Sequence, residues 1–276
     1  MKRILFFETP EFTGATRVTR AIAKTLRDQY EEFFAVVNPQ SDNLKDSIWQ
    51  QVQLHQPDIL FSSFVSINPD VIEVGKAMGL MVVIRTNYKL SDIPQILLVR
   101  IKETYPLADQ LVAQTNEMVE ELWNIDGVQP QKVIVLENPL DKEEILVKAA
   151  EPNPFSENGN YHFLWVGRED PIKDVETLKK AFQIVKGNYP QTDLTLVTND
   201  ENPYRWIRNA GCLVISSKSE ASPNVLREAL FLGTPVVSTD CSPTVRQLLP
   251  QTRIARVCDP HDLSEKMIMA MNEIKE

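Results

Sequence analysis

Short apolar runs alternate with stretches of helical periodicity along the whole chain. Residues 3–7, 33–37, 58–62, 80–84, 109–113 and 132–136 are rich in Ile, Val, Leu and Phe and read as strands. Further runs follow at 162–166, 193–197, 212–216, 235–238 and 253–257. Between most of them lie segments with apolar residues at helical spacing, among them 15–29, 68–78, 115–124, 174–187, 223–232 and 261–274. Alternation of this kind builds parallel sheets covered by helices. The rhythm breaks once. From Asn138-Pro139 to about Asn160 the chain includes Glu151-Pro152-Asn153-Pro154 and Asn158-Gly159-Asn160, which has turn and linker chemistry. The pattern predicts an α/β protein of two Rossmann-like domains, residues 1–139 and 140–276, hinged in that segment.

Composition narrows the function classes. The chain has 276 residues, 43% of them hydrophobic, enough for two ordinary cores. Formal net charge is −9; residues 1–139 carry 13 Lys+Arg against 18 Asp+Glu, net −5, which leaves −4 for the rest. No long basic stretch occurs, so no nucleic-acid partner is expected. Cys212, Cys241 and Cys258 are widely spaced and read as buried thiols in a reducing compartment. Met1-Lys2-Arg3 before Ile4-Leu5-Phe6-Phe7 begins like a signal peptide, but Glu8 and Glu11 interrupt the apolar run, so a first strand fits better. No run reaches transmembrane length. The expected location is cytoplasmic.

Two segments carry chemistry. In Ser219-Glu220-Ala221-Ser222-Pro223-Asn224-Val225-Leu226-Arg227-Glu228 two carboxylates stand eight residues apart. Pro223 suits the first turn of a helix and Ser222 can cap it, so Glu220 lies just outside the N-terminus and Glu228 between one and two turns inside. Carboxylates accept from hydroxyls, and a helix N-terminus donates to phosphate oxygens. The preceding run Cys212–Ile215 and the following Gly233-Thr234-Pro235-Val236-Val237 complete a strand–turn–helix–strand unit, where open α/β sheets bind ligands. Two solvated helix charges are the plain alternative. Upstream, the strand Phe163-Leu164-Trp165-Val166 ends in Gly167, and Arg168 and Lys173 follow. These cations could neutralise a diphosphate leaving group, Arg168 by bidentate geometry and Lys173 as a compact charge. Asp174 can cap the next helix. Offset by Glu169 and Asp170, the same cations also read as surface charges.

In combination these segments resemble the retaining glycosyltransferases of the GT-B fold, in particular the large GT4 group (glycosyl transferases group 1). The family has a strand followed by G-R-x4-K, then E-x7-E, then G-x-P-V-V. Gly167-Arg168…Lys173, Glu220…Glu228 and Gly233-Thr234-Pro235-Val236-Val237 stand here in that order. Phe12-Thr13-Gly14-Ala15-Thr16 stands where the family has a Gly-rich turn. Ala108-Asp109-Gln110-Leu111-Val112-Ala113 and Asn138-Pro139-Leu140-Asp141 resemble a family strand and the crossing into the second domain.

The resemblance implies two Rossmann-like domains facing a cleft. It implies a metal-independent transferase that uses a nucleotide-diphosphate sugar as substrate and no cofactor. The sugar would be of hexosyl or N-acetylhexosaminyl type, and the acceptor a saccharide or a lipid-linked glycan. Arg168 and Lys173 would hold the diphosphate, Glu228 the ribose, and Glu220 the donor sugar. Backbone N–H groups near Ser222, Asn224, Val225 and Leu226 would bind phosphate and sugar oxygens. Gly167 and Gly14 would line the donor, Gly14 by letting the first-domain turn approach it. Arg85 and Asn87, after the run 80–84, would face the acceptor; a capped strand end is the alternative. Residues 93–101 are unusually apolar and could meet a lipid-linked acceptor at the inner face of a membrane, although packing against the sheet explains them more simply.

The chain also departs from the family. Only Glu201 to Ala210 separates the runs 193–197 and 212–216, so a strand-and-loop unit that holds the nucleobase is expected to be missing or rebuilt, with Tyr204 and Trp206 as candidate stacking surfaces. A trimmed protein of this fold could instead be a non-catalytic nucleotide-sugar sensor or a scaffold in glycan assembly.

Overall fold

A computed structural model describes residues 1–273 apart from Phe12 and Asn199. The Phe12 end of the Gly-rich turn and the last residue of the helix expected over 261–274 lie outside the described residues, as does Asn199. The chain divides into two compact units, Met1–Pro139 and Leu140–Glu276.

The first unit runs β1 (Lys2–Glu8), α1 (Gly14–Leu26), β2 (Tyr30–Val36), α2 (Leu44–His55), β3 (Ile59–Ser62), α3 (Asn68–Ala77), β4 (Met81–Arg85), α4 (Gln95–Thr104), β5 (Gln110–Ala113), α5 (Asn116–Trp123) and β6 (Val133–Val135). Its sheet is parallel, in the order β2-β1-β3-β4-β5-β6. Strand order reverses between β1 and β3, which opens a crevice at their carboxyl ends. Leu5, Phe6 and Phe7 of β1 are fully buried, as central parallel strands require. Helix α1 opens on a capping box in which Thr13 accepts from the Thr16 N–H at 3.4 Å and Thr16 Oγ1 accepts from the Thr13 N–H at 3.2 Å.

The second unit runs α6 (Lys142–Ala149), β7 (Tyr161–Val166), α7 (Val175–Asn188), β8 (Thr192–Val197), α8 (Tyr204–Asn209), β9 (Cys212–Ile215), α9 (Asn224–Phe231), β10 (Val236–Thr239), α10 (Pro243–Leu248), β11 (Ile254–Ala255) and α11 (Pro260–Glu273). Its sheet is parallel in the order β11-β10-β9-β7-β8, so strand order reverses between β7 and β9. Period-two alternation divides the strands between two cores. Cys212 and Val214 pack on α7 and α11 with Phe163 and Trp165, while Leu213 and Ile215 pack toward α8 and α9 with Leu164. Full burial of each such side chain contributes about 1.5–3 kcal/mol.

Two expectations change here. The segment read as a linker holds α6, whose Ile145 and Ala149 are buried in the second unit's core with Phe155. Its Asn- and Pro-rich flanks hide a helix that Asp141 starts by accepting from the Glu144 N–H at 3.1 Å. Cys258 is exposed and left-handed at φ 59°, so only Cys212 and Cys241 are buried thiols. In α4 only Ile101 and Thr104 are buried, while Ile96 and Val99 stay exposed. Among the described residues no helix is long and apolar enough to cross a membrane.

Candidate active site

The switch point of the second unit brings together the loops that leave β7 and β9. The first starts at Gly167, whose N–H extends the ladder to the Val197 carbonyl at 3.1 Å. A side chain at Gly167 would meet the Trp165 ring at 3.0 Å, so glycine is what lets the strand end against that buried indole. Arg168 follows, exposed at the mouth of the loop. The chain then makes one tight helical turn over Pro171–Lys173, started by Asp170, which accepts from the Ile172 N–H at 3.0 Å. Asp174 adopts the left-handed region at φ 48° and caps α7, accepting from the Thr177 N–H at 3.4 Å and its hydroxyl at 2.8 Å. Lys173 stands between these two caps, with its backbone direction fixed by both.

The loop after β9 is stapled to this turn. The Lys218 N–H donates to the Ile172 carbonyl at 2.7 Å, and Ser216 Oγ donates to the Lys173 carbonyl at 2.7 Å. On its other side Thr239 Oγ1 donates to the Ser217 carbonyl at 2.6 Å, and the Glu220 N–H donates to the Cys241 carbonyl at 2.9 Å. Between these staples Lys173 Nζ and Glu220 Oε1 meet at 2.5 Å, and Ser217 Oγ donates to the same oxygen at 2.7 Å. Both side chains remain partly open, 26% for Lys173 and 16% for Glu220, so the pair contributes at most about 1 kcal/mol to stability. Cys241 lies against the pair. Burial, reinforced by the Glu220 charge, pushes its thiol up to about 11 and leaves it protonated.

Helix α9 begins at Asn224 with Pro223 at its N-cap position, one residue later than expected, and no side chain of that cap residue closes it. Ser222 is buried and its hydroxyl accepts from Thr244 Oγ1 at 3.4 Å. The Leu226 N–H donates to the Pro223 carbonyl at 3.2 Å, so among the expected phosphate donors this one is already used inside the turn. Asn224 and Val225 are half-buried at the helix start. Glu228 is buried at 4% exposure, one turn inside α9, and Leu226 and Ala229 beside it belong to the core.

Thus Gly167, Arg168, Lys173, Glu220, Ser222, Asn224, Val225 and Glu228 all belong to the two loops and the helix at one switch point. The close pairing of Lys173 with Glu220 was not legible from their spacing of 47 residues. Ser216, Ser217 and Thr239 were missed; their only sequence signal is small polar residues directly after apolar strands.

Other predicted residues lie elsewhere. Gly14 is the first residue of α1 in the first unit. Arg85 closes β4 in that unit, but at 1% exposure it is buried rather than open to a ligand, and it donates to Asn138 Oδ1. Asn87 is half-buried just after it. Tyr204 and Trp206 do not form an open stacking surface: Tyr204 is 5% exposed, and Trp206 packs edge-on to Phe155 and donates to Asp200 at 2.7 Å. His162 stacks on Phe155 and His55 tilts against Phe33. No group of three or more His, Cys, Asp or Glu side chains that could hold a metal occurs among the described residues.

A family model described as glycosyl transferases group 1 matches residues 135–275, just over half of the chain and all of the loops just described. The chain belongs to this family. An uncharacterized glycosyltransferase of Methanocaldococcus jannaschii is 25% identical over 205 residues, 63% of this chain and 50% of the relative. A Campylobacter jejuni protein named N-acetylgalactosamine-N,N'-diacetylbacillosaminyl-diphospho-undecaprenol 4-alpha-N-acetylgalactosaminyltransferase is 28% identical over 171 residues, 52% of this chain and 45% of its own. The chain therefore spans about half the length of the curated relatives it matches. The crystal structure of Anabaena HepE in complex with UDP-glucose aligns over 100% of this chain and 91% of its own with a TM-score of 0.78 at 14% identity. That likeness shows the fold, GT-B.

Proposed function

We propose that the chain is a retaining glycosyltransferase that moves a hexosyl or N-acetylhexosaminyl group from a nucleoside-diphosphate sugar to a saccharide or lipid-linked acceptor, without a metal. The Lys173–Glu220 pair, held at a switch point beside the start of α9, carries this reading. Transfer breaks the bond from the anomeric carbon to the diphosphate oxygen and forms one to an acceptor hydroxyl. Positive charge grows at the anomeric carbon and negative charge on the diphosphate. Arg168 and Lys173 stabilise the latter together with the helix N-terminus, and Glu220 stabilises the former and orients sugar hydroxyls. The ammonium of Lys173 has three donors, so it can hold Glu220 and a phosphate oxygen together. The acceptor hydroxyl attacks from the face the diphosphate leaves and passes its proton to the departing phosphate. Glu228 binds the ribose hydroxyls.

The names of the relatives support both substrates: HepE was crystallised with UDP-glucose, and the Campylobacter protein is named for a diphospho-undecaprenol acceptor. Sugar release from UDP-glucose and UDP-N-acetylgalactosamine, with and without a lipid-diphosphate acceptor, tests the reading against Glu220→Ala. Turnover in the parent and loss in the variant support it. No turnover in either favours the second reading, a nucleotide-sugar-binding scaffold, whose support is that Tyr204 and Trp206 are committed to the core and to Asp200.

A further inference from the structure

The strands of the second sheet begin at the end away from the loops that carry Lys173 and Glu220. A cavity of about 660 Å³ opens there, at the first residues of β7 and β8. That volume suits a small-molecule site, for which about 300–1,000 Å³ is usual. The two ends of β7, Tyr161 and Val166, stand roughly 17 Å apart at the ordinary rise of a strand, so the cavity is separate from the Lys173–Glu220 pair. Its walls include Asn160, Tyr161, Asn188, Tyr189 and Gln191, together with buried Met271. Among the described residues no charged side chain lines it.

The nearest charges are already matched. Asp193 accepts from Asn158 Nδ2 at 2.8 Å and Asn160 Nδ2 at 2.9 Å, and Lys186 Nζ reaches it at 3.4 Å while also donating to the Thr192 carbonyl. Further bonds hold the wall in place. Asn188 Nδ2 donates to the Ile184 carbonyl at 3.0 Å, Thr192 Oγ1 to the Tyr189 carbonyl at 2.8 Å, and the Tyr161 hydroxyl to the Gly211 carbonyl at 2.8 Å. Four polar groups are left over: Oδ1 of Asn160, Oδ1 of Asn188, the side-chain amide of Gln191 and the hydroxyl of Tyr189. None of them has a partner among the described residues. The Tyr189 ring beside them is half-buried.

We propose that this cavity is a second, non-catalytic site that takes a neutral saccharide. A sugar ring carries hydroxyls that both donate and accept around an apolar C–H face. Amide oxygens accept from those hydroxyls, the Gln191 amide and the Tyr189 hydroxyl return bonds, and a tyrosine ring covers the C–H face. A phosphate would find no cation here, and an ammonium group no unmatched carboxylate. An alkyl chain would bury the four polar groups without bonds. The site needs neither Lys173 nor Glu220 and goes beyond the transferase reading. Only its consequence rests on that reading: a glycan held here as well as at the transfer site has a raised effective concentration there.

The test is saturation-transfer NMR on the whole chain with glucose, N-acetylglucosamine and maltotriose. At least one of these sugars binds saturably. The double variant Tyr189→Phe/Gln191→Ala removes two groups that have no protein partner, so it weakens binding about tenfold with an unchanged melting point. Lys173→Ala binds the sugar as the parent does, glucose 1-phosphate binds that variant no tighter than glucose, and UDP does not displace the sugar from the parent. Absence of saturable binding by all three sugars, affinity unchanged in the double variant, displacement by UDP, or tighter binding of glucose 1-phosphate would each overturn the site. If a sugar binds in the expected pattern but UDP-sugars are not turned over, the site stands and the transferase reading falls. Turnover without saturable sugar binding leaves that reading and removes the site.

Discussion

The two sheets share one strand order over five strands, to which the first adds a sixth, and handle charge in opposite ways at their switch points. In the second unit a cation and an acid meet, Lys173 with Glu220 at 2.5 Å, both partly open to solvent. In the first unit Glu8 at the end of β1 is already matched by Arg20, bidentate at 2.9 Å, whereas Arg85 is buried and, among the described residues, its side chain donates to the amide of Asn138 and to no acid. Topology makes the crevice, and the residues in the loops decide its chemistry. A self-neutralised, partly exposed pair can exchange partners with a ligand that offers both hydroxyls and phosphates. A buried cation with no acid beside it is costly to the fold.

The largest effect that could break this contrast is at Glu220. Glu220→Ala leaves Lys173 without its acid, and turnover falls by a factor of about a hundred or more while circular dichroism stays native, since the side chain lies in a loop. A variant that keeps full turnover removes Glu220 from the chemistry.

Next is Gly211, just before β9 and at the opposite end of the strand from the site. An added Cβ would meet the Tyr161 ring at 2.6 Å, and that ring is held by its hydroxyl donating to the Gly211 carbonyl at 2.8 Å. Gly211→Ala is expected to cost about 1–3 kcal/mol in urea unfolding and to leave nucleotide affinity intact. Lost affinity with unchanged stability would deny that site and far end are separable. Asp174→Ala should cost about 1–2 kcal/mol, because it removes the cap of α7 and leaves a left-handed non-glycine residue. Its effect on nucleotide affinity measures how far that cap fixes Lys173.

The smallest effect is in acid. Burial tends to raise the Asp200 carboxyl, but hydrogen bonds from the Asn202 N–H, Trp206 and Arg205 outweigh it and hold the pKa below the usual value. A depressed folded pKa adds stability above the unfolded pKa of about 4 and loses it as pH falls below that. Asp200→Asn should therefore flatten the acid limb of the melting curve between about pH 4 and pH 2. An unchanged limb would free Trp206 from its structural assignment.

Much of this was readable from residues alone. Unbroken apolar runs along Phe163-Leu164-Trp165-Val166 and Cys212-Leu213-Val214-Ile215 mark strands buried on both faces, and the two cores use alternate positions of each run. Asp174 before an apolar helix is a local cap, and local signals survive in sequence. Three things were not readable. Helices α6, α8 and α10 are short and sit among Pro and Asn, where the period has no room to repeat. The Lys173–Glu220 pair depends on strand order, which places β9 rather than β8 on the Glu220 side of β7. The burial of Arg85 runs against the rule that charged residues lie outside, and such exceptions tend to mark function.

The most direct test of the central claim is a thermal-shift series with UDP, GDP, ADP and their sugars on the parent chain and on Lys173→Ala. The account predicts stabilisation by one nucleotide family, lost in the variant, which places the diphosphate at the Lys173–Glu220 pair. Stabilisation that survives in Lys173→Ala, or no stabilisation by any of these ligands in the parent, would contradict it.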